Sequence, residues 1–119
     1  MRLNQVTVGT TDYAASVDFY QRLGLRLIVD SPPDYARFET PEGETFSIHR
    51  VDAVASTTVV YFEVDDLDAF VASLELPLEQ PAADQPWLWR EARLRDPSGN
   101  IIFLYKAGEA RRFPPWRVD

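Results

Sequence analysis

A turn motif that occurs twice limits the fold of this 119-residue chain more than any other feature of its sequence. Asp96-Pro97-Ser98-Gly99-Asn100 leads into the apolar and aromatic residues 101–105, and Thr40-Pro41-Glu42-Gly43-Glu44 leads into residues 45–49. Proline fixes φ, glycine permits a positive φ, and polar side chains bond nearby backbone groups, so each motif predicts a turn followed by a strand. The motifs begin at positions 40 and 96, 56 residues apart, which indicates one structural unit written twice.

Helix signals recur at nearly the same offset. Thr10-Thr11-Asp12 precedes apolar residues at helical spacing, and Gly24 follows them as a residue suited to the left-handed conformation. In the second copy, Asp65-Asp66 precedes an apolar stripe formed by Leu67, Phe70, Val71 and Leu74. Asp12 and Asp66 are 54 residues apart, so the duplication includes the helix as well as the turn.

Extended segments complete each copy. Residues 3–8 and 57–64 precede the helices, and the segments that follow them are 25–30, 35–40 and 45–51, then 78–80, 89–96 and 101–107. We expect the prolines at 32, 33, 81 and 86 to lie between strands, because proline donates no ladder hydrogen bond. The sequence therefore predicts an α+β fold in a single domain, residues 1–119. It comprises two β-α-β-β-β repeats at about 1–51 and 57–107, and a C-terminal arm, 108–119, that its prolines keep extended.

Composition argues against several classes of function. Acidic residues outnumber basic ones by 19 to 12, giving a net charge of −7, so binding to a phosphate backbone is not expected. No apolar run reaches the length of a membrane span, and the first residues lack the pattern of a signal peptide. The absence of cysteine excludes disulfides and thiol chemistry. We expect a cytoplasmic protein with neither a nucleic-acid nor a membrane partner.

Three segments carry a resemblance to a known superfamily. Residues 16–24, 62–67 and 96–100, in this order on a duplicated frame, resemble the vicinal oxygen chelate superfamily. That superfamily includes glyoxalase I, extradiol dioxygenases, fosfomycin-resistance enzymes and bleomycin-resistance proteins. The resemblance spans about residues 3–106, and it implies a cupped mixed sheet with the helices on the outside. It does not fix the reaction, because one scaffold hosts several chemistries.

The resemblance also implies where a metal would be held. Metal-dependent members place a His, Glu or Gln ligand on the first and last strand of each repeat, and the matching positions here are Gln5, Ser47, Val59 and Phe103. Val59 and Phe103 have no donor atom, and Ser47 is a weak neutral ligand. Shifting the frame by one or two residues assembles no set of three ligands. We therefore expect neither a metal nor another cofactor.

Strand alternation extends the predicted lining of the cup. Side chains two residues apart share a face, which adds Thr7, His49, Tyr61 and Tyr105 to the four positions above, and Trp89 and Arg90 precede the turn at the rim. The predicted ligand-binding residues are Gln5, Thr7, Ser47, His49, Val59, Tyr61, Trp89, Arg90, Phe103 and Tyr105. The same side chains would equally suit core packing. His49 and Glu63 are the candidate catalytic pair, with the imidazole as a general base.

Two classes of function remain open. The leading hypothesis is a metal-free small-molecule-binding protein of the bleomycin-resistance type, a homodimer that holds an aromatic or cationic organic ligand. The alternative is a lyase, isomerase or dioxygenase-like enzyme of the same superfamily with an atypical active site. A third possibility is a stability or interaction module without a ligand.

Overall fold

The computed structural model describes residues 1–55 and 58–118. Ser56 and Thr57, where the predicted linker meets the predicted first strand of the second repeat, lie outside the described residues. The elements found are β1 (Gln5–Thr10), α1 (Tyr13–Leu23), β2 (Arg26–Ser31), β3 (Tyr35–Glu39), β4 (Thr45–Arg50), β5 (Val59–Glu63), α2 (Leu67–Ser73), β6 (Gln80–Asp84), β7 (Arg90–Arg95), β8 (Ile101–Lys106) and a 3₁₀ turn (Gly108–Arg111).

The chain divides into two units. The first contains Met1–Thr58 and Asp96–Asn100, and the second contains Val59–Arg95 and the chain from Ile101 onward. The first unit has a four-stranded sheet in the order β1-β4-β3-β2, and the second has the corresponding order β5-β8-β7-β6. In each sheet the first and last strands of the repeat pair in parallel and the other pairs are antiparallel. The predicted α+β class and the duplicated β-α-β-β-β order are confirmed.

Both predicted helix N-caps are confirmed. The Asp12 carboxylate accepts a hydrogen bond from the backbone N–H of Ala15, and Asp66 accepts one from Ala69, each at 3.1 Å. Gly24 ends α1 with a φ of 114°, a left-handed conformation that glycine adopts without steric cost. Short-range side-chain chemistry therefore sets these helix boundaries.

Aromatic side chains fill the core of the first unit beneath α1. Tyr20 is fully buried, and its ring centroid lies 4.6 Å from that of Phe46 and 5.7 Å from that of Phe38. Phe38 and Phe46 come from neighbouring strands at paired positions. Alternate residues of β3 and β4 therefore point toward α1, and the intervening residues line the opposite face of the sheet.

The turn Asp96–Asn100 groups with the first unit and is densely hydrogen-bonded there. Oδ1 of Asp96 accepts from the backbone N–H groups of Ser98 and Asn100, at 2.9 and 2.8 Å. The Asn100 side chain donates to Oδ2 of Asp96 and to the carbonyl of Gly9, at 2.8 and 2.9 Å. The motif that identified the repeat is thus also bonded to β1.

In the second unit, α2 covers one face of the sheet. It packs against β6, β7 and β8. The central strand side chains on this face are apolar and almost fully buried, namely Val60, Ala92, Leu94, Ile102 and Leu104, and Leu67 of α2 is buried as well. Because strand side chains alternate, residues 59, 61, 91, 93, 103 and 105 lie on the opposite face.

Two expectations need correction. Pro81 was expected between strands but lies within β6, at the edge of its sheet, where the pairing with β7 shifts register between Gln80 and Ala83. An edge strand with a bulge tolerates proline because its N–H need not join the ladder. The C-terminal arm is not extended throughout, since Gly108–Arg111 forms the 3₁₀ turn. Phe113 and Trp116 beyond it are mostly exposed.

Candidate functional site

Four aromatic rings cluster on the face of the second unit's sheet that α2 does not cover. Tyr61 and Phe103 stack with ring centroids 4.9 Å apart and planes 9° apart. Tyr105 meets Tyr61 edge-on at 5.4 Å, and Trp89 lies 4.8 Å from Tyr105 and 5.7 Å from Tyr61. We call Tyr61, Trp89, Phe103 and Tyr105 the aromatic face.

Strand pairing explains why these rings meet. β5 and β8 are parallel neighbours in which Tyr61 pairs with Phe103 and Glu63 pairs with Tyr105. Paired residues on one face of a sheet hold their side chains in contact, and aromatic pairs gain about 0.5–1.5 kcal/mol beyond the burial of their area. The predicted sharing of a face by Val59 and Tyr61, and by Phe103 and Tyr105, is therefore seen in the sheet register.

The aromatic face is partly open to solvent. Tyr61 is 44% exposed and Val59 beside it is 40% exposed, whereas Tyr105 is buried. The nearby turn adds two exposed apolar side chains, Trp87 and Leu88. Rings that pack against their neighbours and remain partly exposed provide an apolar surface at low conformational cost.

A buried carboxyl group lies beside this surface. Glu91 of β7 pairs with Tyr105, and its side chain points to the same side of the sheet. Glu91 is only 6% exposed, and its Oε2 has no hydrogen-bond partner within residues 1–55 and 58–118. Burial raises the pKa of Glu91. The pKa of Tyr61 is also raised, first by burial and then by the charge of Glu91.

The basic residues of β7 are held by acidic neighbours. Arg93, two residues after Glu91, forms an ion pair with Glu79 at 2.9 Å, and Arg95 contacts the other oxygen of Glu79 at 2.5 Å. Arg90 faces the other way, toward α2, where it contacts Asp68 at 3.0 Å and Asp84 at 3.2 Å. Arg90 is therefore not brought together with the other predicted ligand-binding residues of the second unit.

The candidate catalytic residues lie in different units. Glu63 belongs to the second, where Oε2 accepts hydrogen bonds from the backbone N–H groups of Ala107 and Gly108, at 2.8 and 3.2 Å. Those bonds give the carboxylate a structural role at the start of the 3₁₀ turn. His49 belongs to the first unit, where it is exposed and lines a pocket of about 170 Å³ with Thr7 and Gly9.

The open face of the first unit's sheet is polar rather than aromatic. Thr7 and Ser47 share a hydrogen bond at 2.6 Å, and Nε of Arg37 donates to the Tyr35 hydroxyl at 2.8 Å. Burial alone would raise the pKa of Tyr35. Hydrogen bonds with Ser47 and Arg37, together with the charge of Arg37, outweigh it and leave the pKa below its ordinary value.

The family model described as the Glyoxalase/Bleomycin resistance protein/Dioxygenase superfamily matches residues 2–104. The chain belongs to this superfamily. The resemblance carried by the three sequence segments is therefore confirmed. No curated protein sequence matches this superfamily member.

Solved structures share the fold. A glyoxalase/bleomycin resistance protein/dioxygenase from Nocardioides is similar at a TM-score of 0.77 and 23% identity, over 100% of this chain and 90% of that one. The bleomycin-binding protein of bleomycin-producing Streptomyces verticillus, complexed with copper(II)-bleomycin, is similar at 0.76 and 25% identity, over 92% and 98%. The bleomycin resistance determinant encoded on the transposon Tn5 is similar at 0.76 and 16% identity, over 91% and 99%.

The side chains at the four positions that the resemblance matches to metal ligands do not form a set that fits a divalent cation. Oε1 of Gln5 accepts a hydrogen bond from the Thr45 hydroxyl at 2.7 Å, and Ser47 is bonded to Thr7. Val59 and Phe103 offer no donor atom. In the described part of the chain, no three His, Cys, Asp or Glu residues are grouped to hold a metal. A divalent ion needs several converging oxygen or nitrogen donors, which these positions do not supply.

Sequence reasoning missed one residue of interest in each unit. Glu91 was not selected, although its position two residues from Trp89 already places the two side chains on one face of an extended segment. Tyr35 was not selected either, because the hydrogen bonds that lower its pKa depend on the pairing of β3 with β4. Burial and partners at these positions are tertiary properties, and a single sequence carries no local signal for them.

Proposed function

We propose that this protein binds an aromatic or cationic organic molecule on the aromatic face of its second unit, without the help of a metal. The observation that carries the proposal is the parallel stack of Tyr61 and Phe103, which Trp89 and Tyr105 contact and in which Tyr61 is partly exposed. A planar ligand would extend this stack with little loss of side-chain entropy, because the rings are already ordered.

Membership of the superfamily supports this class of ligand. The Streptomyces verticillus relative is a bleomycin-binding protein complexed with copper(II)-bleomycin, and it covers nearly the whole of this chain at 25% identity. The net charge of −7 would attract cationic molecules over a distance. Two of the four positions that the resemblance matches to metal ligands, Val59 and Phe103, have no donor atom. This favours binding of an organic molecule over metal-dependent catalysis.

Tryptophan fluorescence tests the proposal at the site itself. The chain has three tryptophans, and replacing exposed Trp87 and Trp116 by Phe leaves Trp89 of the aromatic face as the sole reporter. Copper(II)-bleomycin and a panel of planar aromatic compounds would be titrated against this variant. We expect saturable quenching of Trp89, weakened by about tenfold in the variant Tyr61→Ala. No saturable change with any compound would overturn the proposal.

A homodimer is part of the same proposal. Exposed apolar residues such as Val59, Leu88 and Trp116 offer surface that a second copy would cover. Light scattering on the free and ligand-bound protein would give the mass of the species that binds. A monomer in both samples would contradict the proposed dimer, and the aromatic face would remain the proposed binding surface.

A further inference from the structure

We infer that Glu91 is the counter-ion for a positive charge on the ligand, so that the aromatic face selects planar organic cations over neutral molecules of the same shape. This inference rests on the proposed function and goes further, because it names the class of ligand and the residue that selects it.

The state of the Glu91 carboxyl group carries the inference. A buried polar group without a hydrogen-bond partner costs about 1–3 kcal/mol, and a charged one costs more. Only 6% of Glu91 is exposed to solvent, and its Oε2 has no hydrogen-bond partner within the part of the chain that the structure describes. A carboxyl group in this condition gains a partner when a cation or an N–H donor binds beside it.

The neighbours of Glu91 on the adjacent strands are uncharged side chains within the described residues. Across the sheet it pairs with Tyr105 of β8 and with Ala83 of β6. Tyr61 of β5 interacts with its charge. Arg93, two residues further along the same strand face, forms an ion pair with Glu79 through Nη2, while its Nε has no hydrogen-bond partner in the described part of the chain. Glu63, which interacts electrostatically with Tyr105, is a second negative charge on this side of the sheet, and Arg111, 3.9 Å from it, opposes that charge.

The rings and the carboxyl group complement each other. Aromatic faces attract cations through their quadrupoles, most strongly where the cation is desolvated. A planar cation stacked on Tyr61 and Phe103 would therefore interact with the rings and with Glu91 at once. A neutral molecule of the same shape would gain only the stacking, and it would leave Oε2 of Glu91 unpartnered.

A matched pair of probes separates charge from shape. N-methylacridinium carries a permanent positive charge, and acridine is its neutral counterpart at about pH 8, which lies far above the ordinary pKa of a carboxyl group. Isothermal titration calorimetry would compare both compounds with the wild-type protein, with Glu91→Gln and with Glu75→Gln. Glu75 lies in the exposed loop after α2, so its variant makes the same change in net charge away from the aromatic face.

We expect the wild type and Glu75→Gln to bind the cation at least about tenfold more tightly than acridine, and Glu91→Gln to lose this preference while still binding acridine. Equal binding of the two probes by the wild type, or an unchanged preference in Glu91→Gln, would overturn the role of Glu91 and leave the proposed function standing. Failure of the wild type to bind either probe would also overturn the role of Glu91, while the fluorescence titration with the wider panel decides the proposed function. The wild-type comparison decides even if Glu91→Gln does not fold.

Discussion

The hydroxyl group of Tyr20 in α1 donates a hydrogen bond to Oδ2 of Asp96 at 2.6 Å. The two residues are 76 positions apart, and both are buried. Burial, followed by the charge and the hydrogen bond of Asp96, raises the pKa of Tyr20, so the phenol stays protonated and remains a donor. This contact joins the first helix to the turn that precedes β8.

Replacing Tyr20 by Phe should lower the free energy of unfolding by about 1–3 kcal/mol, because the variant leaves a buried carboxylate oxygen with one donor fewer. Urea denaturation followed by circular dichroism measures this change. Tyr13→Phe is the matched control. The Tyr13 hydroxyl also bonds a carboxylate, that of Asp30, but at the surface, and its loss should cost less than about 1 kcal/mol. Equal losses in the two variants would contradict the importance of the buried bond.

The paired turns make a second prediction. Gly43 and Gly99 occupy corresponding places in the two repeats and have φ values of 93° and 89°. Nothing lies within 4 Å of a Cβ built at either position, so the cost of substitution is the strained backbone alone. Each change to Ala should destabilise the fold by about 1–2 kcal/mol. Glu42→Ala, in the first turn, should stay within about 0.5 kcal/mol. Thermal unfolding compares the three variants.

Glu91 should make stability depend on pH in a definite direction. Burial raises its pKa above the ordinary value of 4.5, so the folded chain keeps the proton at pH values where the unfolded chain has lost it. The folded state is therefore favoured at low pH, and stability falls as the pH rises through the raised pKa. Glu91→Gln stays neutral and should gain stability relative to the wild type at neutral pH. Denaturant titrations at about pH 4 and pH 7 should show that gain shrinking at the lower pH. A stability difference between Glu91→Gln and the wild type that is the same at both pH values would contradict this prediction.

Metal content gives a fourth prediction. Purification without chelators, followed by elemental analysis, should show no stoichiometric zinc, nickel, manganese or iron, because Val59 and Phe103 supply no donor atoms. Treatment with EDTA should leave the affinity for N-methylacridinium unchanged. A stoichiometric metal that is lost together with ligand binding would contradict metal-free recognition.

Interactions between residues close in sequence made much of the fold predictable. The burial of individual side chains could not be predicted from them. The caps at Asp12 and Asp66 and the left-handed Gly24 each depend on a few neighbouring residues, and each was predicted correctly. Strand ends shifted because pairing sets them. β1 was predicted at residues 3–8 and runs from Gln5 to Thr10, beside Thr45–Arg50 of β4.

The candidate site shows the same division. Alternation predicted that Tyr61 and Val59 share a face, because the period of a strand is a local property. Arg90 was grouped with Trp89 by position in the chain, yet its ion pairs with Asp68 and Asp84 lie on the other side of the sheet. The buried state of Glu91 depends on neighbours from three strands, which no single stretch of sequence specifies.

The most direct test of the central claim is to map the ligand by nuclear magnetic resonance of the aromatic side chains while N-methylacridinium is added to the wild-type protein. We predict that the signals of Tyr61, Trp89 and Phe103 shift together and saturate at one ligand per chain. Shifts confined to rings elsewhere, such as Tyr35 or Trp116, with the aromatic face unchanged, would contradict the account.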